Sequence, residues 1–368
     1  MQINNIKLES FRNYDNVQID FSPGLNVIAG ENAQGKTNLL EAVSYLSQGR
    51  SFRTYRDAPL IGTGAIAAYI TASIVSRGRD MTMEARLFDG RLGKKQMLVN
   101  GVKLKNRGQL SGTLGTVLFT PDDITLFRGP GAGRRKFLDD AISQLSPAYA
   151  AAVEKYEQLL KRKNKILKDR DEKPDLLDNL EDYNIAMAKE GSLIIVSRAR
   201  YLKALLPVVT DIHSEMSGKR EILDIKYQSL SNLEDVNADR EEVYVKMREH
   251  QKSHYIAELE SRSCLSGPHK DDFELLLNGL PIKTYGSQGQ NRSAVVSFKL
   301  AERELLQRDL GEYPILLLDD VLSELDSGRQ EFILSKILTG QVILTCCEDE
   351  IRFTDCKVIR ISGGKQIV

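Results

Sequence analysis

Gly30-Glu31-Asn32-Ala33-Gln34-Gly35-Lys36-Thr37 follows a short apolar run, Leu25 to Ala29, and opens a stretch from Thr37 to Leu46 with Leu39, Leu40, Val43 and Leu46 on one helical face. The stretch satisfies every fixed position of the G-x-x-x-x-G-K-[ST] phosphate loop, in the strand–loop–helix context that such a loop requires. Glycines let backbone N–H groups turn inward around phosphate oxygens, and the helix N-terminus adds a favourable field for negative charge. Lys36 is expected to reach the β- and γ-phosphates and the Thr37 hydroxyl to ligate Mg2+. Residues Gly30, Glu31, Asn32, Ala33, Gln34, Gly35, Lys36 and Thr37 are therefore the expected cradle for ATP, with Mg2+ as its companion.

Such a loop needs an acidic partner, and Ile315-Leu316-Leu317-Leu318-Asp319-Asp320 supplies one. Four consecutive aliphatics make a strand buried on both faces, whose C-terminal end points at the phosphates. Asp319 is expected to hold the metal with Thr37, and Asp320 to orient or activate the attacking water; Lys36 and Asp320 are the catalytic candidates. Ser323-Glu324-Leu325-Asp326 follows, and Ser287-Gln288-Gly289-Gln290 precedes the helix leading into the acidic strand. Alone, the second segment reads as a polar loop. In this order and spacing, the two resemble the D-loop and the serine–glycine signature of ABC-type ATPases. There Ser287 and Gly289, at a helix N-terminus, would serve the γ-phosphate held by a second subunit, so that ATP joins a homodimer.

The bulk numbers narrow the class. At 368 residues the chain is long enough for two lobes, and 41% hydrophobic residues suffice for a real core. Lys plus Arg equals Asp plus Glu at 51 each, so the net charge is zero and any nucleic-acid contact must come from local patches. Cys264, Cys346, Cys347 and Cys356 have neither zinc spacing nor the density of a disulfide framework. With no leader peptide at Met1 and no run of membrane-spanning length, the expected location is cytoplasmic, without a membrane partner.

The periodicity divides the chain. From Ile66 to Leu104 the period is two, with Asn100-Gly101 as a hairpin turn. From Arg134 to Leu206 the pattern is helical, interrupted at Pro174, with Leu177 and Leu180 opening the second helix. Another helix runs from about Arg240 to Glu260. After Phe273 helix and strand alternate: a helix from Ser293 to Leu310, a strand from Ile315, a helix from Ser327 to Leu338 and a strand from Val342. The expected fold class is α/β: an ABC-ATPase head with a P-loop parallel sheet and an antiparallel β-layer, plus an inserted, mostly helical second lobe. Residues 1–110 form the N-terminal part of lobe I, 111–263 the helical lobe II, and 264–368 the rest of lobe I, with signature, acidic strand and D-loop.

Further stretches, in order along the chain, resemble the RecF family of bacterial recombination mediators, which are SMC-like ABC ATPases. They are Phe11-Arg12-Asn13-Tyr14, Gly49-Arg50-Ser51-Phe52-Arg53, Leu118 to Asp123, Arg134 to Asp139, Gly267-Pro268-His269-Lys270-Asp271-Asp272, and Leu317 to Asp326. The resemblance implies ATP-dependent dimerisation and binding to gapped or junction DNA. It also implies cooperation with RecR and RecO in loading RecA, in the service of repair, replication restart and the SOS response. Arg12 and Asn13 would then flank the adenine side. Two departures from transporter-type ABC proteins point to slow hydrolysis: Pro121-Asp122-Asp123 takes the place of the Gln-loop, and Thr345 that of the switch histidine.

Several basic residues are candidates for phosphate contact: Arg50, Arg53 and Arg56; Arg134, Arg135 and Lys136; and the run Lys161-Arg162-Lys163 with Lys165 and Lys168. Their competing reading is a solvated face. His269 either lies near the nucleotide or dimer face or is a solvated residue of a capped turn. An aromatic fraction of 7% without tryptophan does not indicate a base-stacking platform. The leading expectation is an ATP-gated DNA clamp with weak, DNA-dependent ATPase activity. A transporter nucleotide-binding subunit and an ATP-binding scaffold are the alternatives.

Overall fold

Alternation at the start of the chain buries Ile3, Ile6 and Leu8 completely in the computed structural model of the protein, which describes residues 1–90, 93–233, 235, 239–347 and 355–367. A register shift between Ile3 and Asn5 brings the odd-numbered Ile3 into line with the even-numbered pair. Residues 1–110 contain seven described strands: β1 (Gln2–Phe11), β2 (Tyr14–Asp20), β3 (Leu25–Ala29), β4 (Ala67–Ser76), β5 (Arg79–Phe88), β6 (Gln96–Val99) and β7 (Val102–Lys103). Except for β3 they form one antiparallel sheet in the order β2-β1-β4-β5-β6-β7. Its last turn is Asn100-Gly101, both at positive φ, as a tight two-residue hairpin requires.

Strand β3 belongs to a second sheet with β8 (Thr116–Phe119). Strands β9 (Leu223–Gln228), β10 (Asp272–Leu277) and β11 (Leu280–Pro281) make a separate antiparallel group. The second sheet is completed by β12 (Ile315–Asp319), β13 (Val342–Cys346), β14 (Lys357–Ser362) and β15 (Lys365–Ile367), in the order β15-β14-β3-β13-β12-β8. All its pairings are parallel except β14–β15. Thr116–Phe119 lies within 111–263 yet pairs with β12, so the chain leaves this sheet for the helices only after Phe119.

The aliphatic run of β12 divides itself between two cores. Ile315 and Leu317 pack with β1, β4, β5 and helix α1 (Lys36–Gln48). Leu316 and Leu318 pack on the other face, against α2 (Gly131–Leu145), α3 (Pro147–Lys168), α4 (Leu180–Met216), and helices further along the chain. A strand covered on both sides has no use for polar alternation, hence four aliphatics in a row. The remaining helices are α5 (Arg240–Ser253), α6 (Tyr255–Ser261), the short α7 (Ile282–Tyr285), α8 (Gln288–Leu310) and α9 (Ser327–Lys336).

Four helix expectations change. The helix expected from about Arg240 to Glu260 is two, α5 and α6, separated at His254. Leu177 lies in a 3-10 turn, Pro174–Asn179, and α4 begins only at Leu180. That helix then continues through Pro207 to Met216, because Leu205, Val209 and His213 extend its buried face. Helix α8 starts at Gln288 rather than Ser293: Ser287 and Gln290 form a reciprocal capping box, which places the first turn within the signature.

The helical region is pinned by buried ion pairs. Arg198, buried on α4, donates through Nη2 to both carboxylate oxygens of Asp139 of α2, and through Nη1 reaches Asp271 at 3.3 Å. Arg134 pairs with Asp272 through two 2.7 Å hydrogen bonds. Lys163 on α3, wholly buried, lies 2.6 Å from Glu258 and 2.6 Å from Asn184. Arg134 and Lys163 are therefore not solvent-facing cations, contrary to their reading as parts of basic runs. At 100° per residue a helix turns one of three consecutive basic side chains inward.

Candidate nucleotide-binding site

Strand β3 ends in the phosphate loop, whose shape requires left-handed backbone at Gly30, φ +154°, and Gly35, φ +118°. A Cβ on Gly30 would lie 2.3 Å from the Ile361 carbonyl oxygen, and one on Gly35 would lie 2.8 Å from Asn13 Nδ2. Neither position admits a side chain without backbone or loop movement. Ala33, at φ +65°, takes the same conformation as a non-glycine residue.

Lys36 is buried, and its ammonium donates to the Gly30 carbonyl at 2.5 Å, so it is already folded back over the loop. The Cys347 thiol lies 3.9 Å from this ammonium and 3.8 Å from Asn32 Oδ1. The sequence reading missed Cys347; its only signal was a position directly after β13. Gln34 is clamped from the far end of the chain. Its carbonyl accepts from Gly364 N at 3.0 Å and its side chain accepts from Gly363 N at 2.6 Å.

The acidic pair meets the loop across an intervening strand. Thr37 Oγ1 donates to Asp319 Oδ1 at 2.9 Å, and Thr345 Oγ1 on β13 donates to the same oxygen at 3.1 Å. Thr345 in turn accepts from Asp320 N at 2.8 Å, and Asp320 has φ +54°. Burial raises the Asp319 carboxyl above its usual range, and the neighbouring Asp320 adds to this, against the hydrogen bonds from Thr37 and Thr345. A hydroxyl and a carboxylate converging on one point are hard oxygen donors of the kind Mg2+ takes. Among the described residues no group of three or more His, Cys, Asp or Glu could hold a metal.

Arg12 and Asn13 divide. Arg12 is engaged by Glu41 through two 2.8 Å hydrogen bonds and by the Pro59 carbonyl at 3.0 Å. Asn13 touches the loop itself, donating to the Gln34 carbonyl at 2.9 Å and accepting from Asn38 at 2.8 Å. Arg53 donates to Asn38 Oδ1 at 2.8 Å, extending this chain away from the loop.

At the signature, Ser287 Oγ accepts from Gln290 N at 3.1 Å, and the Gly289 carbonyl accepts from Arg329 at 2.8 Å. Arg329 is also held by Asp326, which caps α9, and by Ser293 at 2.9 Å. Ser287 and Gly289 are thus braced by the segment after the acidic strand. Among the described residues, no polar contact of 287–290 reaches 30–37.

His269 is neither solvated nor at the loop. It bonds Tyr156 at 2.8 Å and the Cys264 carbonyl at 3.0 Å, and burial pushes it down to about 4, so it is neutral at physiological pH. Arg50 and Lys136 both pair with Asp140, whereas Arg56, Lys161, Arg162, Lys165 and Lys168 are exposed.

A parallel sheet with a phosphate loop, an acidic pair two strands away and a capped serine–glycine helix start defines an ABC-type ATPase head. A protein-family model described as "RecF/RecN/SMC N terminal domain" matches residues 2–365. A protein of Acetivibrio thermocellus named "DNA replication and repair protein RecF" is 37% identical, with 99% of each chain covered. A solved structure of the recombination mediator protein RecF with ATPrS in the RecFOR pathway superposes with a TM-score of 0.91 at 34% identity, covering 99% of this chain and 97% of that one. The SMC head domain of Pyrococcus furiosus shares the fold, with a TM-score of 0.55 at 18% identity over 99% of this chain and 94% of that one. The chain belongs to the RecF family of DNA replication and repair proteins.

Proposed function

We propose that this protein is an ATP-gated DNA clamp of recombinational repair, assembled as a homodimer around ATP and Mg2+. The observation that carries the proposal is the braced Ser287–Gly289 helix start, whose polar contacts stay clear of its own chain's loop. A second copy would bring that helix start against the γ-phosphate. The RecF structures with ATPrS and ATP support nucleotide binding. Gly30 to Thr37 would cradle the phosphates, Lys36 would neutralise them, and Thr37 with Asp319 would hold Mg2+, whose charge stabilises the transferring phosphoryl group. Arg12 and Asn13 would border the adenine side, Asn13 directly and Arg12 through its hold on α1. Lobe II, expected over residues 111–263, would be the inserted unit, its N-terminal bound moved to after Phe119 by the pairing of Thr116–Phe119 with β12.

Asp320 would orient the attacking water in a slow ATPase stimulated by DNA, with Thr345 rather than a histidine beside it. Asp320→Asn should keep ATP binding, lower hydrolysis by about a hundredfold, and lengthen the life of the dimer. Hydrolysis at the parent rate would withdraw the role given to Asp320.

The DNA would be a gapped or junction substrate, and the partners RecR and RecO, acting in the cytoplasm to load RecA for repair, replication restart and the SOS response. A transporter subunit is disfavoured by Thr345 and by the SQGQ signature; no described helix is long and apolar enough to cross a membrane. The test is light scattering with and without ATP and Mg2+, then with DNA. Ser287→Arg should bind ATP yet stay monomeric, because its side chain fills the space of the partner's γ-phosphate. Each neutralised phosphate adds about 0.9 to the salt slope of log affinity, so a dimer with roughly six contacts has a slope near ~5. The variant should show about half that slope. An ATP-dependent dimer of normal strength in Ser287→Arg, or equal slopes with and without ATP, would remove the clamp reading.

A further inference from the structure

A cleft of about 600 Å³ lies between the segment after α1, residues 50–57, and the facing helices α2 and α3, with Pro268 and His269 among its lining residues. Arginine and lysine outnumber aspartate and glutamate along its walls. Several of those cations are spent on neighbours, as Arg50 and Lys136 are on Asp140. Others are not neutralised in this way. Lys161 is exposed, and its ammonium has no ion pair among the described residues. Arg135 donates to a neutral carbonyl, that of Asp271, at 2.6 Å. Arg53 donates to the Asn38 amide and pairs only partly with the buried Glu41, at 3.6 Å, because that carboxylate is already held by Arg12 at 2.8 Å. The wall therefore offers positive charge to a ligand carrying several negative ones.

Tyr55 also lines this cleft, and its side chain is fully exposed, at 107%. A tyrosine ring in water forgoes the burial that such a large side chain ordinarily finds. Its exposure does not come from a slack loop. Ser51 Oγ accepts from the backbone of Arg53 at 2.9 Å and of Thr54 at 3.0 Å, and Thr54 Oγ1 donates to the Arg56 carbonyl at 2.7 Å. Ser51 is itself anchored to the buried Glu41. The segment is thus preset to present an aromatic face flanked by Arg53 and Arg56.

We propose that this cleft binds a single-stranded segment of DNA, with phosphates on Lys161, Arg135 and Arg53 and one unpaired base stacked on Tyr55. The proposal rests on the DNA-clamp reading and specifies which part of the DNA this face takes. Positive grooves with aromatic platforms hold single strands without regard to sequence, because every base has a stacking face. A duplex keeps its base faces within the stack, so a lone exposed tyrosine has nothing to pair with there. The volume is on the scale of a small-ligand pocket, which suits one or two nucleotides. A low aromatic content does not argue against such a site, since one correctly placed ring is enough.

The experiment is fluorescence anisotropy of the full-length protein, with ATP and Mg2+, on three probes of equal length: a duplex, a duplex with a single-stranded gap, and a single strand. A 2-aminopurine base in the gap reports stacking. Tyr55→Ala should weaken binding to the gapped and single-stranded probes by roughly fivefold to a hundredfold, change duplex binding by less than about twofold, and abolish the 2-aminopurine response. Tyr55→Phe should restore all three, and Lys161→Glu should weaken the gapped probe more than the duplex. If Tyr55→Ala binds gapped DNA like the parent, or loses duplex and gapped DNA equally, the single-strand assignment falls while the clamp reading stands. If the parent protein binds none of the probes, the clamp reading itself fails and takes this proposal with it.

Discussion

Lys36→Ala should lower ATP affinity by about a hundredfold or more, since charge-assisted hydrogen bonds contribute about 1.5–3 kcal/mol each and the ammonium can make two or more to phosphate oxygens. The fold should survive. Among the described residues Lys36 has one strong partner, the Gly30 carbonyl at 2.5 Å, with the Cys347 thiol more distant at 3.9 Å. Removing a buried ammonium also relieves its own desolvation cost, which offsets part of the lost hydrogen bond. Titration calorimetry with ATP and Mg2+, beside a thermal melt without nucleotide, separates the two effects. ATP affinity within tenfold of the parent would show that the loop binds phosphate without Lys36, and the cradle would need another cation.

The second large effect concerns stability. Lys163→Met should cost about 3–5 kcal/mol, the usual penalty for removing one partner of a buried ion pair. Lys163 and Glu258 are both buried and 2.6 Å apart. Glu258 Oε1 also accepts from Leu265 N at 2.8 Å and Ser266 N at 3.3 Å. Methionine would leave that carboxylate without its cation, and the loss should spread to the segment leading into Asp271 and Asp272. Adding Glu258→Gln to Lys163→Met should recover part of the loss, because the uncompensated charge is gone while the amide can still accept from the same N–H groups. Urea unfolding of the parent, both single variants and the double variant gives the coupling. A Lys163→Met protein less than about 1 kcal/mol weaker than the parent would mean that water reaches the pair.

This pair also shows where reading residues in sequence falls short. Lys161, Arg162 and Lys163 look alike as a basic run. On α3 the first two face solvent and the third turns into the core. The charge says nothing about the side a residue faces; the partner does, and Glu258 lies far along the chain. Arg134 and Arg135 divide for the same reason, the first going to Asp272. Tyr55 is the converse case: only the absence of packing around it distinguishes it from any other tyrosine.

Whatever depends on neighbours a few residues apart could be read directly from the amino-acid order. The phosphate loop, the aliphatic strand before Asp319, the Asn100-Gly101 turn and the hydrophobic alternation of the first strands all express backbone preferences and short-period burial. The start of α8 was not legible in this way: spacing puts it at Ser293, whereas the reciprocal hydrogen bonds of Ser287 and Gln290 begin it at Gln288. Contacts between distant segments had to wait for the folded chain. Thr37 meets Asp319, Gln34 is held by Gly363 and Gly364, and Cys347 comes up beside Lys36. The sheet order β14-β3-β13-β12 brings these segments together. Strand order is chosen by the packing of two complete cores against both faces of one sheet, a free energy to which no single stretch of sequence contributes enough to reveal the outcome.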